Sequence, residues 1–380
     1  MIDDLALVRA IADANLPGVV AVITDRDGPR YSRAFGHANA LTRTPMRVDT
    51  VCQLASMTKA LTSLAALQLV DAGKLSLDAP LAGILPDLAA LPVLDGFAAD
   101  GSARLRPPRR AVTLRHLLTH TSGLGYPFVQ QDTARWFMAN PSAPGSRASV
   151  RLPLLFDPGE DWAYGVSTDW VGFAVEAASG QRLGDYLADH VLAPLGMTAT
   201  GFHSPLTMPP TAAAVHARMP GGGLVPTPAH LGGGEFEGGG GGLSGTAEDY
   251  AAFLRMVLNG GMAEGRRLLS PDMMAALTTN QIGPIRAGRM GSTMADLASP
   301  FDLFPDQHCG WSLGFLMNPR PGPNGRGAGS LAWAGIFNSY YWADPAAGLA
   351  GVFLTQLVPF ADAGALAAFA AFERMAYGRA

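Results

Sequence analysis

Lysine is almost missing from this chain. Of its 380 residues, 27 are Lys or Arg, yet only two are lysines, Lys59 and Lys74. An arginine guanidinium stays protonated and cannot act as a base, whereas a lysine amine can shift. Where a lysine persists, its position therefore calls for a chemical reason. Cysteine is as scarce. Cys52 and Cys309 cannot build a disulfide framework and read as buried thiols. There is no apolar run of the roughly 18 residues that a membrane helix needs. The start, Met1-Ile2-Asp3-Asp4-Leu5, is acidic and lacks the charged-then-apolar pattern of a secretion signal, so a cytoplasmic address is expected. Charged residues make up 15% and net charge is −4, which excludes a disordered acidic or basic tail. No basic run exceeds Arg106-Pro107-Pro108-Arg109-Arg110, read as a solvated loop. Nucleic acid and membrane are therefore not expected partners.

What the chain does have is a long unbroken apolar stretch. From Ser56 to Ala72 there is no Gly or Pro. Ala60, Leu61, Leu64, Ala65, Ala66, Leu67, Leu69 and Val70 make it apolar on most sides, the mark of a helix inside a core. Gly73 follows at the place of a left-handed C-cap. Ser56 and Lys59 are three apart and share a face of the first turn. There the free N–H groups and the helix dipole disfavour an ammonium. A lysine pushed toward its neutral form would let the serine lose its proton.

Elsewhere the pattern alternates. Residues 3–15 have helical spacing, and residues 18–24 and 31–35 flank a turn at 25–28 as a β-hairpin. Residues 50–54 form a further extended piece. Residues 76–225 are rich in proline, with helices expected near 113–119, 131–139, 168–179 and 182–192. Helices are expected again at 246–258 and 271–277, and strands at 311–317, 330–337, 338–342 and 351–356, before a last helix at 362–376. Strands at both ends around a helical middle imply an α+β domain formed by residues 1–75 and 226–380, with a mostly helical domain at 76–225. The site should lie in the crevice between them. Glycine clusters at 221–223, 232–234 and 238–242 read as flexible loops, because they lack the strand-to-helix context of a phosphate-binding turn.

Several short motifs follow one another in a fixed order: Leu54–Ala60 (LASMTKA), Gly73–Asp78 (GKLSLD), Leu114–Leu124 (LRHLLTHTSGL), Pro158-Gly159, Trp162-Ala163-Tyr164, Asp169-Trp170, Pro194–Met197 (PLGM), Gly242–Tyr250 (GLSGTAEDY), Trp333-Ala334-Gly335 and Tyr341–Pro345 (YWADP). In this order they resemble serine hydrolases of the class C β-lactamase and penicillin-binding-protein superfamily. Within it, the likeness is greatest to β-lactamase-like carboxylesterases, the family VIII esterases. That resemblance implies an antiparallel sheet flanked by helices plus a mostly helical domain. It implies Ser56 as acylated nucleophile, with Lys59 and Tyr164 as its proton-transfer pair. The backbone N–H groups of Ser56 and Ile336 would form the oxyanion hole. Tyr126, Trp333 and Gly335 would border the substrate, with Gly335 letting it lie along the strand, and Phe128 and Trp162 fall nearby.

Two departures from the lactamase pattern bear on the substrate. Val166 stands where Tyr-x-Asn would place an amide, and Trp333 stands where a lysine would meet a substrate carboxylate. Both favour uncharged small or short-chain esters over β-lactams. The expected reaction is ester hydrolysis without cofactor or metal. β-Lactam hydrolysis, D-amino-acid amide or peptide hydrolysis, acyl transfer and a non-catalytic binding role are the alternatives, and a homo-oligomer remains open. Two other patterns are set aside. Gly242–Thr246 lacks the fifth glycine of a nucleophile elbow, so Ser244 is expected to end a loop. His116 and His120 are four apart but have no third metal ligand in view.

Overall fold

The computed structural model describes residues 2–379. Its main sheet has eight strands, all antiparallel, in the order Gly310–Trp311, Leu316–Met317, Leu331–Gly335, Ser339–Asp344, Leu349–Leu354, Gly18–Asp25, Pro29–Asn39 and Thr44–Pro45. The Gly18–Asp25 strand is apolar through Val19 to Ile23 and buried on both faces. It pairs with Leu349–Leu354 near the far end of the chain, Val20 opposite Leu354 and Asp25 opposite Leu349, so the two termini are knitted into one sheet. The Ala247–Leu258 helix packs against the central strands. The Ala363–Ala376 helix lies on the Leu5–Asp13 helix and on Leu349–Leu354. The layers form an α+β fold of the β-lactamase and transpeptidase type.

The helix expected from Ser56 starts differently. Ala55–Met57 is a 3-10 turn and the α-helix proper runs Thr58–Asp71. Ala55 holds φ at +49°, a left-handed backbone that L side chains adopt reluctantly. The surroundings fix this turn from several sides. Leu54 donates its N–H to Leu243 O, Thr58 Oγ1 accepts from Leu243 N, and Tyr250 OH donates to Met57 O. Gly73 has φ +69°, as a C-cap glycine requires.

Other expectations shift for identifiable reasons. Residues 311–317 are a tight hairpin and not one strand, because Ser312 N closes onto Phe315 O and brings Trp311 opposite Leu316. Ser244 lies inside a strand, Leu243–Gly245, paired with Cys52–Gln53, instead of ending a loop. The proline-rich middle contains strands that the sequence reading passes over, at Val93–Phe97, Ala103–Arg106, Val215–Arg218 and Leu224–Thr227. The Arg106–Arg110 segment is not simply solvated. Arg106 grips the buried Asp157 with Nη1 and Nη2 at 3.0 and 2.7 Å, and Arg109 N adds a third bond at 2.7 Å. Cys52 and Cys309 are buried and unpaired. Among the described residues, no helix is long and apolar enough to cross a membrane.

Candidate active site

Ser56 is the partly exposed residue in an otherwise buried stretch, Val51–Ala60. One helical turn on, Lys59 is 2% exposed. Its Nζ lies 3.2 Å from Ser56 Oγ, 3.1 Å from Tyr126 OH and 2.7 Å from Gly240 O. Three acceptors for three N–H groups is the coordination of an ammonium. Burial alone would push the Lys59 amine down. The Tyr126 and Tyr164 oxygens, whenever they are ionised, and the Asp169 carboxylate push it up, and the net shift is upward. The three acceptors therefore run against the sequence expectation of a lysine driven toward its neutral form. The dipole argument considered only the helix end and missed the acceptors that other segments supply.

Tyr164 is 4% exposed. Its ring lies below the Lys59 ammonium, 4.7 Å from centroid to Nζ, and its hydroxyl accepts a hydrogen bond of 2.9 Å from the Trp333 indole Nε1. The backbone around it is tight. A Cβ on Gly165 would run into the Leu124 carbonyl and the Gly125 backbone, so glycine is needed there for close approach. That approach lets Tyr126 N donate to Tyr164 O at 3.2 Å and sets the two tyrosines side by side.

Tyr126 was expected at the pocket wall, and its ring does stack on Phe128 at 5.0 Å. Its hydroxyl, however, belongs to the lysine network. Burial pushes the Tyr126 phenol up despite the pull of Lys59, so it stays protonated. His120, with its ring 4.9 Å from that of Tyr164, is held neutral, pushed well below the usual histidine value by burial and then by the Lys59 charge. His116 does local work, closing a capping box with Thr113.

Trp333 and Gly335 lie on the Leu331–Gly335 strand. Its outer neighbour pairs only as far as Ala332, which leaves Trp333–Gly335 as an open edge beside Ser56. Trp333 is 3% exposed, so it is a wall residue and not a rim. Gly335 is demanded by the fold. A Cβ there would sit 2.6 Å from Leu54 O, in the turn that carries the nucleophile. Ile336 follows in the loop Ile336–Asn338. Among the described residues, the N–H groups of Ser56 and Ile336 have no acceptor, and both residues line one small cavity with Phe128, Tyr164, Met290, Trp333, Ala334 and Phe360. The cavity lining contains no cation.

Three contributors escaped the sequence reading. Asn338, buried and at φ +61°, uses its full bonding capacity. It donates to Leu357 O and Pro359 O and accepts from Tyr340 OH and Asp362 N. This fixes the loop that carries Ile336. Asp169 and the Gly238–Gly242 run are the others. Gly239, Gly240 and Gly242 are buried, so this cluster is a packed turn and not the flexible loop expected from its composition. Asp169 Oδ1 accepts from Gly240 N at 2.9 Å, and Thr62 Oγ1 donates to Gly239 O at 2.9 Å.

The sequence pattern of the family described as Beta-lactamase matches residues 6–375. The chain is 32% identical to Monacolin J acid methylbutanoyltransferase of Aspergillus terreus, across 94% of this chain and 91% of the relative. It is 34% identical to Lovastatin esterase of Penicillium rubens, across 93% and 92%. The solved structure of unliganded Simvastatin Synthase (LovD) from Aspergillus terreus superposes with a TM-score of 0.84 at 31% identity, covering 99% of this chain and 97% of that one.

Proposed function

The chain belongs to the beta-lactamase family, among its serine hydrolases and acyltransferases, and from that premise we propose that it is a serine carboxylesterase acting on small uncharged esters. The observation that carries the reading is the contact of Ser56 Oγ with Lys59 Nζ at 3.2 Å inside a lining that is otherwise apolar except for Tyr164. Ser56 Oγ attacks the ester carbonyl while its proton passes to the Lys59/Tyr164 pair. The oxyanion forms between the N–H groups of Ser56 and Ile336. The alcohol leaves with a proton returned by the pair, and water activated by the same pair releases the acid. A cavity of about 20 Å³ has room for little more than one water. Short acyl groups that displace the flexible Met290 side chain suit it best. The unpaired Cys52 and Cys309 agree with a cytoplasmic setting, and a small-molecule ester is the expected partner.

A second reading is transfer of the acyl group to an alcohol other than water, and one relative is named a methylbutanoyltransferase. One experiment separates these. p-Nitrophenyl acetate and butyrate are hydrolysed by wild type and by Ser56→Ala, with and without a bulky alcohol acceptor, and a chromogenic cephalosporin is run in parallel. The proposal expects ester turnover that falls by about a thousand-fold or more in Ser56→Ala, with little cephalosporin cleavage. Turnover that appears only with the acceptor makes it an acyltransferase. Full ester activity in Ser56→Ala overturns both.

A further inference from the structure

Beyond Gly240 from Lys59, and outside the cavity lining, lies a carboxylate that no step of the reaction above uses. Asp169 stands in the first turn of the Ser167–Ser179 helix and is 8% exposed. It forms no direct ion pair with the lysine. The two are joined through one residue, because Gly240 donates its N–H to Asp169 Oδ1 at 2.9 Å and offers its carbonyl to Lys59 Nζ at 2.7 Å. The glycine is required for this. A Cβ on residue 240 would lie 2.7 Å from Asp169 Oδ2, and a Cβ on Gly239 would lie 2.8 Å from Thr168 O. The turn is thus wedged between the Thr58–Asp71 and Ser167–Ser179 helices, with Thr62 holding its other carbonyl.

Resting on the serine mechanism above, we propose that Asp169 is a positioning residue of the active site. Its carboxylate anchors the Gly240 carbonyl against Lys59, and its charge keeps Lys59 an ammonium, so that Tyr164 takes the Ser56 proton. In its reactive form the trio has lost one proton, which can be missing from Lys59 or from Tyr164. The groups facing Lys59 from every side settle which. Ser56, Tyr126 and Gly240 accept its three N–H bonds. His120 is neutral, and Asp169 contributes the negative charge. On the other partner, the Trp333 indole N–H donates to the Tyr164 oxygen, a bond that strengthens when that oxygen is charged. The contacts on Lys59 favour its protonated form. In the chemical step the Ser56 O–H bond breaks as the Oγ–acyl bond forms, and the proton goes to the Tyr164 oxygen. Lys59 keeps all of its protons. Burial leaves the Asp169 carboxyl above its ordinary value, with Lys59 and the Gly240 N–H offsetting part of the rise. The anion and the ammonium therefore support one another.

The scarcity of lysine provides a direct test. Protein labelled with ¹⁵N and ¹³C at lysine shows two side chains by NMR, and Lys74, which is exposed, is assigned by Lys74→Arg. In wild type the expected Lys59 signal is that of an ammonium at neutral pH. In Asp169→Asn, which keeps an acceptor for Gly240 N but loses the charge, its titration midpoint should fall by about one pH unit or more. Lys74 should not move. The alkaline limb of kcat/KM should shift in the same direction. Asp169→Glu, which keeps the charge, should hold the midpoint near wild type, and it serves if the asparagine variant folds poorly. An unmoved Lys59 midpoint in Asp169→Asn, or a neutral Lys59 amine at pH 7 in wild type, overturns the proposal. Either result leaves the esterase reading intact, because that reading falls only if Ser56→Ala stays active.

Discussion

The Trp333 indole supplies Tyr164 with one directed N–H at the strand position where lactamases carry a lysine. A hydrogen bond to a group that becomes charged contributes about 1.5–3 kcal/mol. Trp333→Phe keeps an aromatic ring, though a smaller one, and loses the donor, and kcat should fall about 10- to 100-fold. An unchanged kcat would mean that the indole is only packing. Tyr126→Phe removes one of the three acceptors on Lys59 and should lower kcat about 10-fold without loss of thermal stability. If Tyr126 served only as a pocket wall, KM would respond and kcat would not. The meeting of Ser56, Lys59 and Tyr164 was legible because spacing and motif order are properties of the sequence. The hydroxyl of Tyr126 and the carboxylate of Asp169 were not. Their roles depend on where Gly165 and Gly240 let two backbones meet, and a single sequence does not record such meetings.

At the scale of elements, the nucleophile turn and the oxyanion loop are built by opposite means. The turn is strained at Ala55 and pinned from outside, whereas the loop is held from within by Asn338. Asn338→Ala would leave Leu357 O, Pro359 O, Tyr340 OH and Asp362 N without their partner. It should cost about 4 kcal/mol or more, since each of the four buried groups left unpaired is penalised by about 1–3, and kcat should fall with it. A melting temperature equal to wild type would contradict that. Long elements with clear periodicity, such as Thr58–Asp71, Ala247–Leu258 and Ala363–Ala376, were readable to within two or three residues. Short ones were less so. Trp311–Met317 alternates like a strand, but the Ser312 N–H closes onto Phe315 O and folds it in two. Gly238–Gly242 has the composition of a flexible linker, yet its missing side chains are what allow it to be buried.

For the whole molecule, strands from near both ends of the chain pair in one sheet. The protein's acid tolerance has one identifiable component. Arg106, then the Arg109 N–H, hold the Asp157 carboxyl down to about 2, against roughly 3.9 for an aspartate in the unfolded chain. A depressed folded value stabilises above the unfolded one, and that contribution is lost as pH falls through about 2. Between pH 4 and 2 the melting temperature of wild type should therefore drop more steeply than that of Asp157→Asn. Parallel curves would show that the Arg106 contact has no such role. The central claim, however, is a covalent one. Intact-mass spectrometry of protein quenched during turnover of p-nitrophenyl butyrate, followed by peptide mapping, tests it directly. The account predicts one butyryl group on the peptide bearing Ser56 and none in Ser56→Ala. An acyl adduct on another residue, or the same adduct persisting in Ser56→Ala, would contradict it.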